Sequence, residues 1–293
     1  MNYNSAMTAV VKKWGAKDAR KCIAVPSDLD NKYSRGVLGV ITGSAQYPGA
    51  SVLTTTAAVA TGVGMIRFYA TSGLDHLVLH QTPSVVCHPG SVSAWLVGSG
   101  IDAREYSSLS TWLRYRHFKS LKIQGVPTVL DAGALKLAGK LEQPTVITPH
   151  SGELARLLNS RGVSVTAEAI EGDPKKCVDT AARFLGVTVL LKGSRTYVAN
   201  ESVIIELPVA TPWLATAGTG DVLAGILGAL VATHLIEVLN DSDYLAPLAA
   251  TAALIHANAA KSASRGGPIS AESIIPEIQG SIISLLGPDR LKR

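Results

Sequence analysis

Short, mostly apolar runs recur along the chain, separated by longer stretches with helical spacing. The run VLGVIT, Val37 to Thr42, is compact and followed by a glycine-bearing turn, the pattern of a strand buried on both faces. The spacing then predicts a small-residue helix over about Ala50 to Thr61 and a second strand over about Met65 to Ala70. Thr, Ser and Val are weak helix formers, so that helix rests on the strand-helix-strand spacing. The alternation continues through HLVLH, AWLVGSG, VPTVLDAGAL and PTVITPHSGELARLL, then VTVLLKGSRTYVAN and ESVIIEL. The last two read as a local hairpin, because Asn200 and Glu201 separate two β-rich runs. A helix opened by Asp221 and another over Leu248 to Ala263 follow. Met7 to Val25 mixes apolar and basic residues at helix-like spacing and stops before Pro26, which predicts a helical N-terminal extension over about residues 1–28. Apolar strands alternating with helices predict an α/β fold with a mostly parallel sheet covered on both faces. Without repeats or a linker, residues 1–293 are expected to form one domain.

Composition narrows the function classes. At 47% hydrophobic residues, the chain has enough apolar material for one large core. The net charge of +5 is spread out, and aromatic residues make up 5%, which argues against a nucleic-acid surface and leaves a positive cleft for phosphorylated ligands open. Cys22, Cys87 and Cys177 are far apart and odd in number, so neither a disulfide framework nor a metal knuckle is expected. The N-terminus lacks the pattern of a secretory signal, and the run from Val222 to Ala232 is shorter than the ~20 residues a membrane span needs. A cytoplasmic protein acting on neither membrane nor nucleic acid is the expectation.

In an open parallel sheet, functional loops gather beyond the C-terminal ends of the strands. TAGTGDVLAG, Thr216 to Gly225, sets glycines and an acid before an apolar helix. Gly218, Thr219 and Gly220 can point successive amides inward, and the helix N-terminus adds unpaired N–H groups, together an anion hole for a phosphoryl group. Asp221 then either orients and deprotonates an attacking hydroxyl or caps the helix expected to begin at Val222. The stretch is neither a P-loop nor a dinucleotide fingerprint. In LKGSRT, Lys192 leaves a strand and Gly193 allows close approach to a nucleotide; the plainer alternative is a solvent-facing lysine before a turn. In TPHSGE, His150 can donate to a ligand oxygen and Glu153 can hold hydrated Mg2+ through water, or Glu153 simply favours the first turn of a helix. Structural zinc is disfavoured, since further ligands are missing at suitable spacing. Asp131 in DAGAL faces nucleotide phosphates through Mg2+ or caps the next helix, and GSAQYPGA either covers the acceptor or supports the first crossover.

The ordered set GSAQYPGA, DAGAL, TPHSGE, LKGSRT and TAGTGDVLAG resembles the ADP- or ATP-dependent NAD(P)H-hydrate dehydratases of the ribokinase-like superfamily, over roughly residues 30–290. The resemblance implies a three-layer sandwich. It places the anion hole on Gly218, Thr219 and Gly220, with Asp221 catalytic. Contacts to the hydrated nicotinamide fall on Ala50, Gly100, His150 and Asp221, and nucleotide contacts on Lys192, Gly193, Ser194, Arg195, Thr196 and Gly220. It further implies Mg2+, ADP or ATP as co-substrate, and a homo-oligomer, often a tetramer. Many bacterial relatives carry a fused epimerase domain, which this sequence is expected to lack. The implied reaction is dehydration of the S form of NADHX and NADPHX. A ribokinase-like kinase acting on a hydroxymethyl heterocycle, or a nucleotide sensor without catalysis, are the alternatives. Three positions depart from the family: Gly133 replaces a common second acid, Ala257 a glycine after His256, and Ala217 a frequent glycine.

Overall fold

A computed structural model describes residues 9–69, 72–101 and 109–287; Met7, Thr8 and Ala70, which belong to elements predicted above, lie outside the described residues. Among these, nine strands form one sheet: β1 (Val10–Lys13), β2 (Val37–Ile41), β3 (Met65–Phe68), β4 (Ala94–Val97), β5 (Thr128–Leu130), β6 (Thr145–Ile147), β7 (Thr188–Leu191), β8 (Arg195–Ala199) and β9 (Val203–Val209). Their order is β1-β9-β8-β7-β6-β5-β4-β2-β3. Pairing is antiparallel at β7–β8 and β8–β9, where the expected hairpin forms, and parallel elsewhere.

Successive residues of the central strands serve opposite cores, as the two-residue period of a strand requires. Leu38, Val40, Ala94 and Leu96 enter one core, while Val37, Ile41, Trp95 and Val97 enter the other. The first core is closed by helices Gly49–Thr61, Thr219–Thr233, Leu245–Ser264 and Ile278–Leu286, the second by Ser151–Asn159 and Pro174–Leu185. This is the expected ribokinase-like three-layer sandwich.

Over the described part, residues 9–28, the N-terminal helical extension expected over residues 1–28 does not form as such. Val10–Lys13 is instead a strand parallel to β9, followed by a helix of only four residues, Ala16–Ala19. The β-branched valines suit an extended edge, and pairing along the outer side of β9 satisfies their backbone groups there. Trp14 then turns inward, and its indole N–H donates to Thr251 Oγ1 at 3.2 Å.

Connectivity reverses direction around β2: the chain runs outward to β3 and returns on the other side of β2 to β4. Such a switch point opens a crevice at the C-terminal strand ends. The helix Thr219–Thr233, buried throughout from Val222 to Ala232, aims its N-terminus there. Its position depends on close contact with Gly49–Thr61, since a Cβ at Gly225 would lie 2.4 Å from the Thr54 carbonyl oxygen and 2.9 Å from Ala57 Cβ. Gly225→Ala is therefore expected to lower stability by about 1–3 kcal/mol through overpacking, against a helix-propensity gain of up to ~1 kcal/mol. Urea denaturation checks this; an unchanged or raised midpoint would show that the two helices are not locked by that contact.

Candidate active site

Gly218 caps the Thr219–Thr233 helix in a left-handed conformation, φ +87°, and a Cβ there would come within 2.7 Å of Leu53 Cδ1. The left-handed backbone is what favours glycine here, since the leucine side-chain end can shift. Thr219 Oγ1 donates to the carbonyls of Leu214 and Thr216, at 3.0 and 3.1 Å, fixing the turn. Because the helix begins at Thr219, Asp221 lies inside its first turn and makes no capping bond, so the capping role considered above is not the one it plays.

Two cavities meet at this turn. The first, about 960 Å³, is lined by Ala50, Gly100, Glu153, Gly218 and Asp221. The second, about 520 Å³, is lined by His150, Lys192, Gly193, Ser194, Thr196, Thr219 and Gly220. Both sizes fall in the range of small-molecule sites, the first at its upper end. Ala50 and Gly100 touch across the switch point, where a Cβ on Gly100 would stand 2.4 Å from that of Ala50. His150 thus lines the second cavity, apart from Ala50 and Gly100. Arg195 lines neither; successive strand residues face opposite ways, and its guanidinium donates to Glu206 Oε1 at 2.7 Å and to the Leu207 carbonyl.

Beneath the turn lies a charge cluster built from the ends of four strands. Asp131, following β5, is buried and accepts from Ser99 Oγ at 2.9 Å, Thr148 Oγ1 at 2.7 Å and Lys192 Nζ at 3.1 Å. It neither caps the following turn nor opens onto the two cavities. The next residue, Ala132, has φ +42°, an uncommon backbone for a residue with a side chain and of the kind found at functional sites. Lys192 is positioned by its backbone N–H, which donates to the Pro149 carbonyl at 2.8 Å, and its ammonium also lies 3.7 Å from Glu153 Oε2. Burial alone would pull the lysine down, but Asp131, Glu153 and Asp221 outweigh it and hold the ammonium above its ordinary range. Burial, and then the charge of Asp131, push the Asp221 carboxyl up to about 7, against the opposing pull of Lys192. A carboxylate balanced near neutrality is suited to accept a proton from a hydroxyl.

Glu153 combines several tasks. It accepts the His150 backbone N–H at 2.9 Å in a capping box, while His150 Nδ1 accepts from the Gly152 N–H at 3.1 Å. Among the described residues, no cluster of three or more His, Cys, Asp or Glu side chains forms a direct metal cage. The donor set suits Mg2+, which keeps its waters and takes one or two carboxylates plus phosphates.

The sequence motifs did not single out Ser99 or Thr148, whose roles depend on a buried acid between two strands. His256 was noted only as the neighbour of Ala257. Its ring is buried against the Thr219 backbone and burial pulls it down to about 4, so it is a neutral imidazole at neutral pH, with Nε2 unpartnered. His256 and Ala257 line the second cavity, Gly133 and Ala217 the first.

The sequence model of the NAD(P)H-hydrate dehydratase family matches residues 38–279. The bifunctional NAD(P)H-hydrate repair enzyme of Mycobacterium tuberculosis is 39% identical over 226 residues, covering 72% of this chain and 44% of that protein. The chain thus spans less than half the length of that bifunctional relative. The ADP-dependent (S)-NAD(P)H-hydrate dehydratase of Neisseria meningitidis is 31% identical over 222 residues, covering 69% of this chain and 71% of the relative. The crystal structure of the ADP/ATP-dependent NAD(P)H-hydrate dehydratase of Bacillus subtilis, co-crystallised with ATP and Mg2+, superposes with a TM-score of 0.77 at 22% identity, covering 95% of this chain and all of that one. No helix among the described residues is long and apolar enough to cross a membrane.

Two measurements test the charge cluster. Carboxyl NMR is expected to show Asp221 titrating near pH 7, and Asp131→Asn to move that titration to lower pH by removing the like charge. The folded state keeps a proton on Asp221 that the unfolded chain loses from its ordinary 3.8 upward, so stability falls as pH rises between about 4 and 7. Asp221→Asn should lack that decline and melt a few degrees above the parent at pH 8, with the gap closing toward pH 4; equal melting temperatures at pH 8 would mean that the carboxylate is not strained by its surroundings.

Proposed function

The chain belongs to the NAD(P)H-hydrate dehydratase family, and we propose that it dehydrates the S form of NADHX and NADPHX at the expense of ADP or ATP, restoring NADH and NADPH. The observation that carries this reading is the meeting of two cavities at one helix N-terminus, with Asp221 facing the larger and Gly220 and Lys192 facing the smaller. The hydrated dinucleotide occupies the larger cavity, with its nicotinamide end near Ala50, Gly100 and Asp221. The adenine nucleotide occupies the smaller one, along Lys192, Gly193, Ser194 and Thr196.

Asp221 takes the proton of the ring hydroxyl as its oxygen attacks the terminal phosphorus of the nucleotide. The bond from that phosphorus to the leaving AMP or ADP breaks as the new ester forms. The N–H groups of the first helical turn, including those of Thr219 and Gly220, and the Lys192 ammonium hold the charge on the phosphoryl oxygens. Phosphate then departs with the electron pair of its carbon–oxygen bond, driven by the ring nitrogen lone pair. Loss of the neighbouring ring proton restores the double bond. Net products are intact NAD(P)H, AMP or ADP, orthophosphate and a proton. Mg2+, held by Glu153 through water, would supply neutralising charge to the nucleotide phosphates. Holding both ligands in one geometry and excluding competing water are the remaining tasks of the protein.

A ribokinase-like kinase is the second reading, favoured by the same anion hole. Product analysis separates the two, because a kinase retains a stable phosphoester whereas the dehydratase releases orthophosphate. Cytoplasmic location and assembly into a homo-oligomer such as a tetramer belong to the same proposal, and light scattering reads the latter.

Incubation with hydrated NADH and either ADP or ATP is expected to return the dihydronicotinamide absorbance only when nucleotide is present. Asp221→Asn should cut turnover by ~10²–10⁴-fold while nucleotide binding stays nearly unchanged. Full turnover by that variant would remove Asp221 from the chemistry. In the parent, kcat/KM should rise with pH through about 7 as Asp221 ionises.

A further inference from the structure

The corner of the larger cavity around Ala50 and Gly100 is nearly bare of side chains. A Cβ added to Gly100 would clash with that of Ala50 and would stand 3.0 Å from the Tyr47 carbonyl oxygen and 3.2 Å from Gly43 Cα. A Cβ on Gly49, which also lines the cavity, would meet nothing within 4 Å. Small residues thus leave a gap in which a flat ring fits. Beside that gap sits Tyr47, the one aromatic residue among the described residues that line this cavity.

The backbone of Tyr47 is held from both ends. Its N–H donates to Ser44 Oγ at 3.0 Å, and its carbonyl accepts from the N–H groups of Ser44 at 3.3 Å and Ala50 at 3.4 Å. Ser44 is itself buried, and Pro48 follows as the N-cap of the helix Gly49–Thr61, with Ser51 Oγ donating to its carbonyl at 2.6 Å. The side chain has no such engagement with the interior. Tyr47 belongs to neither core, and 49% of its surface is exposed. A tyrosine on a fixed backbone offers a large contact area and loses little freedom when covered, since only two side-chain torsions need ordering.

A hydrated or intact dihydronicotinamide ring carries no charge. Asp221 can serve the hydroxyl at its edge, but the face of the ring requires an apolar or aromatic surface. We propose that Tyr47 lays its phenol ring against the nicotinamide ring of the substrate, holding it at Asp221 and keeping water from that face. This rests on the dinucleotide reading of the larger cavity.

The test is calorimetric titration of the whole chain, with saturating ADP or ATP in the smaller cavity, using two probes. One is NADPH, which has the ring but no hydroxyl to react; the other is ADP-ribose 2′-phosphate, which has the same phosphates and no nicotinamide. The parent should bind NADPH the more tightly. Tyr47→Ala should weaken NADPH binding by ~10-fold, the worth of one aromatic contact, and leave the second probe within about two-fold of the parent. Tyr47→Phe, which keeps the ring, should recover most of that loss. Equal weakening of both probes by Tyr47→Ala, or NADPH binding within about two-fold of the parent, would overturn the proposal and leave the dinucleotide reading standing. A loss in Tyr47→Phe as large as in Tyr47→Ala would overturn it too, because the hydroxyl and not the ring face would then make the contact. Failure of the parent to bind either probe would overturn the dinucleotide reading and the proposal with it. Melting curves of the variants, expected to match the parent, show that the fold is intact.

Discussion

Three carboxylates, Asp131, Glu153 and Asp221, act on one ammonium, that of Lys192, in a largely buried site. The arrangement is unequal. Asp131 has Ser99, Thr148 and the short contact to Lys192, so its charge is well satisfied. Asp221 has what is left of the cation, plus the repulsion of its neighbour. Burial, and then the charge of Asp131, raise the affinity of Asp221 for a proton. Asp131 thereby anchors Lys192 while Asp221 is left as an exchangeable base, a division of labour that side-chain chemistry alone would not provide.

The sheet makes this possible by delivering each member from a different strand end. Ser99 follows β4, Asp131 follows β5, Thr148 follows β6 and Lys192 follows β7, which are neighbours in the sheet. Asp221 arrives from the opposite direction, on a helix packed against the first core. The cluster is therefore where strand ends meet a helix start. The same helix start separates two cavities, with Gly218 and Asp221 lining one and Thr219 and Gly220 the other, so ligands in both would meet at one helix N-terminus.

Much of this was legible in the sequence, for identifiable reasons. The runs around Val37, Ala94 and Val146 read as strands because both faces of the sheet are covered and nearly every position is apolar. TAGTGDVLAG and LKGSRT each had a plain alternative, a helix cap and a solvent-facing lysine, and stood out because the motifs occur together in one order. What escaped detection depends on distance in sequence. Nothing local distinguishes Asp131 as the partner of Lys192, sixty-one positions away. Arg195 seemed a ligand contact by adjacency, yet the strand period sends it to Glu206. The N-terminal segment had helical spacing, but pairing with β9 outweighed a preference worth only tenths of a kcal/mol per residue.

The placement of β1 has a consequence for biosynthesis. Val10 pairs with Val203, so this segment has to wait for a partner made about two hundred residues later. During that interval Val10 and Val11 hang from a half-made polypeptide with no backbone to bind. The margin of the sheet is thus closed only once β9 has been made, and until then that ribbon is an unpaired edge open to other strands.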